Sequence, residues 1–368
     1  MLDSIFQLFS YDLGIDLGTA NTLVHVRGKG IAIREPSVVV RHNKTKKIIA
    51  IGREAKKMIG KTPSSITAIR PLENGVISDF DAAAYMLTFY IKKVHEFGNP
   101  LSRFARPRVV VGIPAGVTEV ERRAVWEAAL HAGARECYLI EEPMAAAIGA
   151  GVSVFEPTGV MTVDIGGGTT EIAVISLGGI VVNRSLKIAG DEMDEAIMHY
   201  IRLRHGVIIG EKTAEEVKTK LGTAYKSEKL AKKEKEGVVS GFLDEEKRGE
   251  KVAVVRGRSL ETGLPKSIKV TETEIREAIG PVVSEIVDSI MEVVEETPPE
   301  LTSDVLEHGI ILTGGGALLG GIDSLIMEKT KIPVTVIDDP LTTVARGAAR
   351  VLEDNQLLDR VKVTGGLR

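Results

Sequence analysis

The chain has 368 residues, of which 43% are hydrophobic, and this is enough for about two domains with cores of their own. Its 47 Lys and Arg against 51 Asp and Glu give a formal charge of −4, which argues against a protein that binds nucleic acid through overall positive charge. The single cysteine, Cys137, cannot form an internal disulfide, and no apolar run approaches the ~20 residues that span a bilayer, so we expect a cytoplasmic protein.

The first predicted element is a short amphipathic helix. Leu2, Ile5, Phe6 and Phe9 fall on one face of a helix that begins at Met1. So short a helix does not fold alone, and its apolar face must be covered by a membrane surface or by the protein itself. The residues alone leave both alternatives open.

Two distant stretches share one pattern. Residues 11–33 and 160–182 each run through an apolar strand, an Asp, a turn rich in Gly and Thr, an alternating strand, a Gly turn and a third strand. Asp16 and Asp164 hold equivalent places. Strands joined by short glycine turns form antiparallel meanders, and alternating strands and helices follow each repeat. The sequence therefore predicts an α/β fold made of two domains of similar plan.

A second candidate lipid-binding segment lies in the loop before residue 106. Phe97, Leu101 and Phe104 alternate with basic residues around a Gly-Asn-Pro turn. Apolar residues in a basic loop suit an anionic lipid surface, although the same side chains could instead be covered contacts of the core.

The pattern also predicts regular elements after each repeat. A buried strand at 106–116, a helix at 118–133 and a strand at 136–143 follow the first, and the small-residue helix at 141–151 could cross between the domains. After the second repeat comes a long amphipathic segment that stops at Pro298 and Pro299. Two less regular inserts lie at 35–71 and 187–269, and the second contains the densely charged stretch 226–251.

The turns after Asp16 and Asp164 are candidate phosphate-binding loops. Backbone N–H groups in such turns can point at an anion, and the carboxylates beside them suit Mg²⁺ held mostly through water. One such turn is common in ordinary hairpins, but two with matching Asp positions favour a phosphate clamp, in a chain that has no phosphate loop of the G-x-x-x-x-G-K-[ST] type. The predicted phosphate-binding residues are Gly18, Thr19, Ala20, Asn21, Gly166, Gly167 and Gly168.

A third glycine run ends the buried strand near residue 313. Its bare backbone could pack on a base or ribose, and the helix that it is expected to open would favour phosphate at its N-terminus. The predicted adenosine-binding residues here are Gly314, Gly315, Gly316, Ala317 and Leu318.

Five stretches together resemble the motifs of a known group of proteins. They are DLGTANT, IEEPMAAAIGAG, VDIGGGTTE, AGDEMDEAI and LTGGGALL. The set resembles the actin-like ATPase superfamily, which also holds heat-shock chaperones and sugar kinases, and within it the MreB family of bacterial rod shape-determining proteins. The resemblance runs from the N-terminal apolar segment through Leu352, and the charged stretch is longer than that family usually carries.

The resemblance implies a duplicated actin-like fold, with two α/β domains that each carry a smaller inserted subdomain and with a nucleotide in the cleft between them. The expected ranges are 1–34, 72–146 and 323–352 for the first domain (IA), 35–71 for its insert (IB), 147–186 and 270–322 for the second domain (IIA), 187–269 for its insert (IIB), and 353–368 for a C-terminal tail.

The resemblance also assigns roles to particular residues. Glu142 matches the residue that positions the attacking water, with Thr169 beside it, although Glu141 competes for that role on the residues alone. Gly190 and Asp191 begin another helix that could face the nucleotide. Matched to the adenosine and ribose site are Glu215, Glu216, Val217 and Lys218. Without the resemblance, the first and last of these would be an ordinary exposed pair at i, i+3.

The function implied by the resemblance is that of a cytoskeletal ATPase. It would use ATP and Mg²⁺, form filaments of paired protofilaments at the inner face of the cytoplasmic membrane, and organise cell-wall synthesis with proteins such as MreC and RodZ. The two apolar segments would be its lipid contacts. A chaperone-type ATPase needs a peptide-binding domain, and few residues follow Glu353. A small-molecule kinase needs a pocket for a sugar or carboxylic acid.

Overall fold

The computed structural model describes residues 10–96, 105–225 and 250–363. Within these ranges no helix combines the length and the apolar character needed to cross a bilayer. Outside the described residues lie most of the charged stretch and the predicted lipid contacts Leu2, Ile5, Phe6, Phe9, Phe97, Leu101 and Phe104.

Strands and helices alternate along the described chain. The strands are β1 (Leu13–Leu17), β2 (Asn21–Val26), β3 (Gly30–Pro36), β4 (Val39–His42), β5 (Ile48–Ile51), β6 (Ile66–Ile69), β7 (Leu72–Glu73), β8 (Val76–Ile77), β9 (Arg108–Ile113), β10 (Glu136–Glu141), β11 (Val160–Ile165), β12 (Thr170–Ser176), β13 (Gly179–Leu186), β14 (Val207–Ile208), β15 (Val252–Ser259), β16 (Pro265–Thr271), β17 (Ile310–Thr313) and β18 (Val334–Val336). The helices are α1 (Arg53–Lys56), α2 (Phe80–Glu96), α3 (Glu119–His131), α4 (Glu142–Ala150), α5 (Gly190–His205), α6 (Glu211–Leu221), α7 (Glu272–Glu296), α8 (Pro299–His308), α9 (Ile322–Thr330), α10 (Thr343–Val351) and α11 (Asn355–Val361).

The two halves of the chain form five-stranded sheets with the same topology. The first has the order β10-β9-β1-β2-β3, in which β1 to β3 are an antiparallel meander and β9 and β10 add parallel strands. The second has the order β13-β12-β11-β17-β18, which is the same arrangement built on the second meander. The duplicated α/β fold expected from the two repeats is therefore confirmed.

The chain returns to the first domain later than predicted. β18 pairs with β17, and Ile322 and Ile326 are buried in the core of the second domain. By contrast α10 packs on β1, where a Cβ on Gly14 would overlap the backbone of Ala349. The assignment of residues 323–336 to the first domain is therefore wrong, because this stretch packs with the second sheet.

Each domain carries a smaller sheet within the expected insert. In the first insert the sheet β5-β4-β6 packs Val38 and Val40 against Ala55 of α1 in a small core of its own. In the second, β14-β15-β16 packs with α5 and α6, and Val217 and Val255 belong to the main core of that domain. The second insert is thus continuous with its domain, whereas the first has a separate core.

Helices α4 and α10 cross at the junction of the two domains. A Cβ on Gly347 would overlap the carbonyl oxygen of Ala145, and one on Gly149 would overlap that of Thr343. Only glycine allows the two helix backbones to approach this closely. The chain passes from the first sheet to the second through α4, and α10 follows the point where the chain returns to the first domain. Both connections between the domains therefore lie at this junction.

The long amphipathic segment forms α7, and a second helix, α8, follows it. α7 continues through Pro281, and Gly280 before it has no Cβ to meet the proline ring. The helix ends at Glu296 as predicted, but Pro299 begins α8, because proline fits the first turn of a helix.

The expected C-terminal tail contains a packed helix. Asp354 caps α11 by accepting hydrogen bonds from two backbone N–H groups of its first turn. Leu358 and Val361 are buried in the same apolar cluster as Ile148 of α4. This part of the chain therefore belongs to the junction of the domains.

Cys137 lies on β10 and is 8% exposed. Burial raises the pKa of its thiol to about 12. The thiol is therefore protonated and shielded in the folded protein.

Candidate functional site

One cavity of about 350 Å³ lies between the domains, where β1 and β11 end. It brings together both predicted phosphate turns, the third glycine run and the first residues of α4 and α5. The predicted residues that line it are Asp16, Gly18, Thr19, Ala20, Asn21, Glu142, Asp164, Gly166, Gly167, Gly168, Thr169, Gly190, Asp191, Glu215, Lys218, Gly314, Gly315, Gly316 and Leu318.

Three predicted residues do not line the cavity. Glu216 is exposed and pairs with a lysine one turn earlier on α6. Val217 and Ala317 are buried in the core of the second domain. Only the face of α6 that carries Glu215 and Lys218 meets the cavity, as their i, i+3 spacing allows.

The two phosphate turns touch each other across the cavity. A Cβ on Gly167 would lie 2.5 Å from the Cβ of Ala20, and one on Gly168 would lie 2.9 Å from the side chain of Thr19. Carbonyl oxygens of the second turn accept hydrogen bonds from the first two N–H groups of α5. These bonds hold the carbonyl oxygens of that turn against α5. An anion site made of backbone N–H groups requires this, because carbonyl oxygens would repel the anion.

The third glycine run contacts the second phosphate turn. Gly314 has a φ of 81°, and a Cβ there would overlap the carboxylate of Asp164 and the carbonyl of Ile165. The run forms a 3-10 turn, and α9 begins only at Ile322. The cavity therefore meets bare backbone here and not the helix N-terminus that the sequence predicts.

Seven acidic side chains line the cavity, and for four of them, close to the phosphate turns, the negative charge is disfavoured. Burial raises the pKa of Asp164 to about 7. The pKa of Asp16, which is partly open to the cavity, is raised by burial and by the charge of Asp164. Burial, and then the charge of Glu171 and of the two aspartates, raises the pKa of Glu142 well above its usual range. The pKa of Glu171 is raised by burial in the same way.

This gathering of acids fits a divalent cation. No group of three or more ligand-type side chains in the described ranges is placed to hold a metal directly. Asp16 and Asp164 nevertheless supply hard oxygen donors beside the phosphate turns, which is the donor set that Mg²⁺ prefers when it keeps several waters. The residues therefore fit Mg²⁺ bound mainly through water and phosphate.

The raised pKa of Asp164 predicts a pH dependence of stability. The folded protein keeps this carboxyl protonated up to about pH 7, whereas the unfolded chain ionises it in the usual range for Asp. The free energy of unfolding therefore falls as the pH rises from about 4 to about 7, by about 1.4 kcal/mol per pH unit for this group. In the nucleotide-free protein, Asp164→Asn should gain about 1–3 kcal/mol relative to wild type between about pH 5 and pH 8.

Urea unfolding of both proteins at each pH measures this difference. The comparison with wild type is needed because burial lowers the pKa of His25 and His95, and this makes the free energy of unfolding rise with pH. Asp81→Asn, an exposed change on α2, serves as the matched control. A difference between Asp164→Asn and wild type that stays constant or shrinks with rising pH contradicts the prediction.

Glu142 is the carboxylate that the fold delivers to the cavity. It is the first residue of α4, directly after β10, and Pro143 fits the first turn. A Cβ on Gly112 of β9 would lie 3.4 Å from the Cγ of Glu142, so glycine leaves room for this side chain. Glu141 ends β10, is half-buried and does not line the cavity. Of the two candidates, Glu142 is therefore the one placed to meet a water there.

Lys218 is fixed at another wall of the cavity. Its Nζ donates to the carbonyl oxygen of Gly190 at 2.5 Å and pairs with Asp194 at 2.9 Å. Asp194 is 4% exposed, and burial raises its pKa to about 6 although Lys218 acts in the opposite direction. The Oδ1 atom of Asp194 is buried without a hydrogen-bond partner among the described residues, so it is a candidate acceptor for a ligand hydroxyl.

Ion pairs join the two inserts beside the cavity. Lys56 pairs with Glu215 at 2.6 Å, and Arg70 pairs with Asp191 at 3.0 Å and also with Glu211. All five side chains are partly exposed. Side chains from both domains therefore meet across the cleft in this structure.

Sequence reasoning missed several residues of the cavity. Glu171 and Asp194 stand inside the motifs VDIGGGTTE and AGDEMDEAI, and an acid among apolar strand residues was the available signal for Glu171. No sequence pattern indicated Gly75, whose backbone N–H donates to Thr19 Oγ1 at 2.9 Å. The remaining lining residues are Leu23, Met193, Thr219, Gly222, Leu319, Pro340, Leu341 and Val344.

Comparison with known proteins gives consistent matches along the chain. Residues 10–360 match the family model described as MreB/Mbl protein. The cell shape-determining protein MreB of Escherichia coli strain K12 is 50% identical over 357 residues, which cover 96% of each chain. The cell shape-determining protein Mbl of Bacillus subtilis strain 168 is 44% identical over 357 residues, which cover 97% of this chain and all of the relative.

A solved structure matches the fold as a whole. MreB5 of Spiroplasma citri bound to ADP has a TM-score of 0.84 and 36% identity, and the match covers 95% of this chain and 98% of that one. Its AMPPNP-bound form has a TM-score of 0.82 over 94% and 98% of the two chains. With a family match over nearly its whole length and relatives of this identity and coverage, the chain belongs to the MreB/Mbl family of actin-like proteins.

Proposed function

We propose that the chain binds ATP in the cavity between its domains and hydrolyses it. The observation that carries this proposal is that the two turns with Asp16 and Asp164 meet at one cavity, which also receives Glu142. The related MreB5 of Spiroplasma citri binds ADP and AMPPNP. The phosphates would lie between the two turns, and the third glycine run and the wall near Lys218 would receive the adenosine.

Glu142 would act as the base in hydrolysis. The oxygen of a water forms a bond to the γ-phosphorus, the bond from that phosphorus to the oxygen bridging the β-phosphate breaks, and a proton of the water passes to the Glu142 carboxylate. The raised pKa of Glu142 favours its acceptance of that proton. Thr169, which is buried on the second turn and also lines the cavity, would offer its hydroxyl to the same water. ADP and phosphate are the products.

The other residues of the cavity would bind and orient the triphosphate. Backbone N–H groups of the two turns would stabilise the negative charge on the phosphate oxygens, since they are held in place before the reaction begins. Mg²⁺, when bound near Asp16 and Asp164, would neutralise charge on the transferred phosphoryl group.

We further propose that ATP-bound copies assemble into paired protofilaments at the inner face of the cytoplasmic membrane. The flanks of the two apolar segments are joined, because the N–H of Arg106 donates to Ser10 Oγ at 2.8 Å and the N–H of Tyr11 donates to His95 Nε2 at 3.0 Å. Both segments therefore leave the described structure at one edge, which supports a single lipid-facing edge. In the cell such filaments would organise wall synthesis with partners such as MreC and RodZ.

Sedimentation tests the filament proposal. The full chain at micromolar concentration should pellet with ATP and Mg²⁺, and more of it should pellet with vesicles that contain anionic lipid than with neutral vesicles. Protein that stays in the supernatant under all of these conditions contradicts assembly. Equal pelleting with both kinds of vesicle contradicts the anionic membrane contact.

The ion pairs between the inserts predict a salt-dependent rate of nucleotide release. Arg70→Ala removes the pairs with Asp191 and Glu211, and partly exposed pairs are each worth at most about 1 kcal/mol, so release should become about two- to tenfold faster. The difference from wild type should shrink at high salt, which screens the pairs. Displacement of a fluorescent ATP analogue measures the rate. Lys57→Ala, which breaks a pair within α1 and its C-cap only, should leave the rate unchanged; a rate that Arg70→Ala also leaves unchanged contradicts the prediction.

A further inference from the structure

Ser37 is a buried residue beside the first phosphate turn, at the point where the chain enters the first insert. It lies between β3 and β4, is 0% exposed and does not line the cavity. Its hydroxyl donates to the carbonyl oxygen of Gly18 at 2.6 Å, and its backbone N–H donates to that of Ala20 at 3.0 Å. A single residue therefore binds two carbonyl groups of the turn.

A second buried hydroxyl holds Ser37 in place. Oγ1 of Thr22 lies 2.8 Å from Oγ of Ser37, and Thr22 is also 0% exposed. A serine hydroxyl has a single hydrogen, which Ser37 gives to Gly18, so Thr22 is the donor in this pair. The hydroxyl groups thus form a chain that runs from Thr22 through Ser37 to the phosphate turn.

The two bonds to the turn determine where its N–H groups point. In a planar trans peptide the C=O and the N–H point to opposite sides. The peptide with the carbonyl of Gly18 carries the N–H of Thr19, and the peptide with the carbonyl of Ala20 carries the N–H of Asn21. Both N–H groups are therefore directed away from Ser37, and Thr19 and Asn21 line the cavity. An anion site made of backbone N–H groups needs this orientation.

The second phosphate turn is held by a different element. Its carbonyl oxygens accept hydrogen bonds from the N–H groups of Gly190 and Asp191, which begin α5. At the equivalent point of the first repeat, after the third strand of the meander, the chain continues into β4. Ser37 therefore supplies, from one hydroxyl and one N–H group, what the N-terminus of α5 supplies at the second turn.

We propose that Ser37 is a positioning residue for ATP binding, which holds the first phosphate turn with its N–H groups directed at the phosphates. This inference rests on the proposed ATP binding and extends it to a residue outside the cavity. Ser37 acts through Gly18 and Ala20 and does not touch the nucleotide. Because the next residue, Val38, belongs to the core of the first insert, Ser37 also ties that insert to the turn.

The affinity of the full chain for nucleotide tests the role of Ser37. In Ser37→Ala the donor to Gly18 is lost, so the N–H of Thr19 is no longer held toward the phosphates. The Kd for ATP with Mg²⁺ should rise about three- to tenfold, as expected for the loss of one hydrogen bond. Because adenosine has no phosphate to meet these N–H groups, its Kd should stay within about twofold of wild type. Competition with a fluorescent ATP analogue measures both.

A second variant removes the support of Ser37. Thr22→Val takes away the hydroxyl that donates to Ser37, nearly keeps the shape of the side chain and lies outside the cavity lining. It should raise the Kd for ATP about two- to threefold, because Ser37 keeps its bond to Gly18 but is held less firmly. The double variant should bind ATP no more weakly than Ser37→Ala alone, since Thr22 acts through Ser37. Thr22→Val also decides the question if Ser37→Ala does not fold.

Thr297→Val is the matched control. Thr297 follows α7, is 7% exposed, lies outside the cavity lining and donates its hydroxyl to the carbonyl oxygen of Val293 at 2.6 Å. The variant therefore removes another buried hydroxyl that binds a backbone carbonyl. Its effect should be on stability only, with an unchanged Kd for ATP.

The outcomes separate the two proposals. A wild-type chain that does not bind ATP overturns the proposed function and this inference with it. If wild type binds and hydrolyses ATP, a Kd for ATP that is the same in Ser37→Ala, Thr22→Val and wild type overturns the role of Ser37 alone. Equal losses of affinity for ATP and adenosine indicate a merely structural role and likewise overturn the inference.

Discussion

Replacing Glu142 with alanine is expected to lower the rate of ATP hydrolysis at least about tenfold, and up to about 10³-fold, while ATP still binds. Glu142 is the carboxylate at the start of α4 that lines the cavity, and its raised pKa suits a proton acceptor. Its removal leaves the backbone N–H groups of both phosphate turns in place, so ATP binding should be retained. Phosphate release measures hydrolysis, and titration with a fluorescent ATP analogue measures binding.

Glu141→Ala is the matched control for this experiment. Glu141 is the preceding residue and also an acid, but it does not line the cavity. Its replacement should change the rate less than about threefold, because surface and half-buried groups outside the site do not touch the water. Equal turnover in Glu142→Ala and wild type, or a larger loss in Glu141→Ala, would assign the water to another group.

Replacing Gly347 with alanine is expected to destabilise the protein by about 3 kcal/mol or more, because overpacking here forces two backbones apart. The added Cβ would overlap the carbonyl oxygen of Ala145, which is fixed within α4. Gly149→Ala should have a similar effect through its overlap with Thr343. Urea unfolding of the nucleotide-free protein measures both losses.

The double variant tests whether the two glycines act at one contact. If one movement of α4 away from α10 relieves both overlaps, the double variant of Gly149→Ala and Gly347→Ala should lose much less free energy of unfolding than the sum of the two single losses. Gly210→Ala is the control, because a Cβ there meets nothing within 4 Å and its φ of −89° suits alanine. It should cost less than about 1 kcal/mol. Additive losses, or a control that is equally costly, contradict the account of the crossing.

Local patterns predicted the parts of the fold that local interactions determine. The repeat around Asp16 and Asp164 combines strand alternation with glycine turns, so both meanders and the equivalent places of the two acids could be read from the sequence. That both turns open into one cavity followed only from the resemblance and from the symmetry of the repeats. The structure brings them into contact through Ala20 and Gly167.

Long-range pairing and helix phase account for what the sequence did not reveal. β18 belongs to the second sheet because it pairs with β17, and no local signal at 323–336 shows this. Val217 and Ala317 stand within site motifs, but their side chains are buried in the core of the second domain. The residues next to them in the sequence, Lys218, Gly316 and Leu318, line the cavity instead. Glu171 stands among apolar residues of β12, which was a local signal for its burial, but its hydrogen bond from Ala115, 56 residues away in the chain, could not be read from that strand.

Cys137 makes the chain suitable for selective labelling. It is the only cysteine in the sequence, and its thiol is both buried and held protonated well above neutral pH. Maleimide dyes react with thiolates, so the native protein should stay unlabelled until it unfolds. A cysteine introduced at an exposed position such as Lys57 would then carry the fluorophore alone, and assembly could be followed by microscopy or energy transfer with the natural thiol left in place.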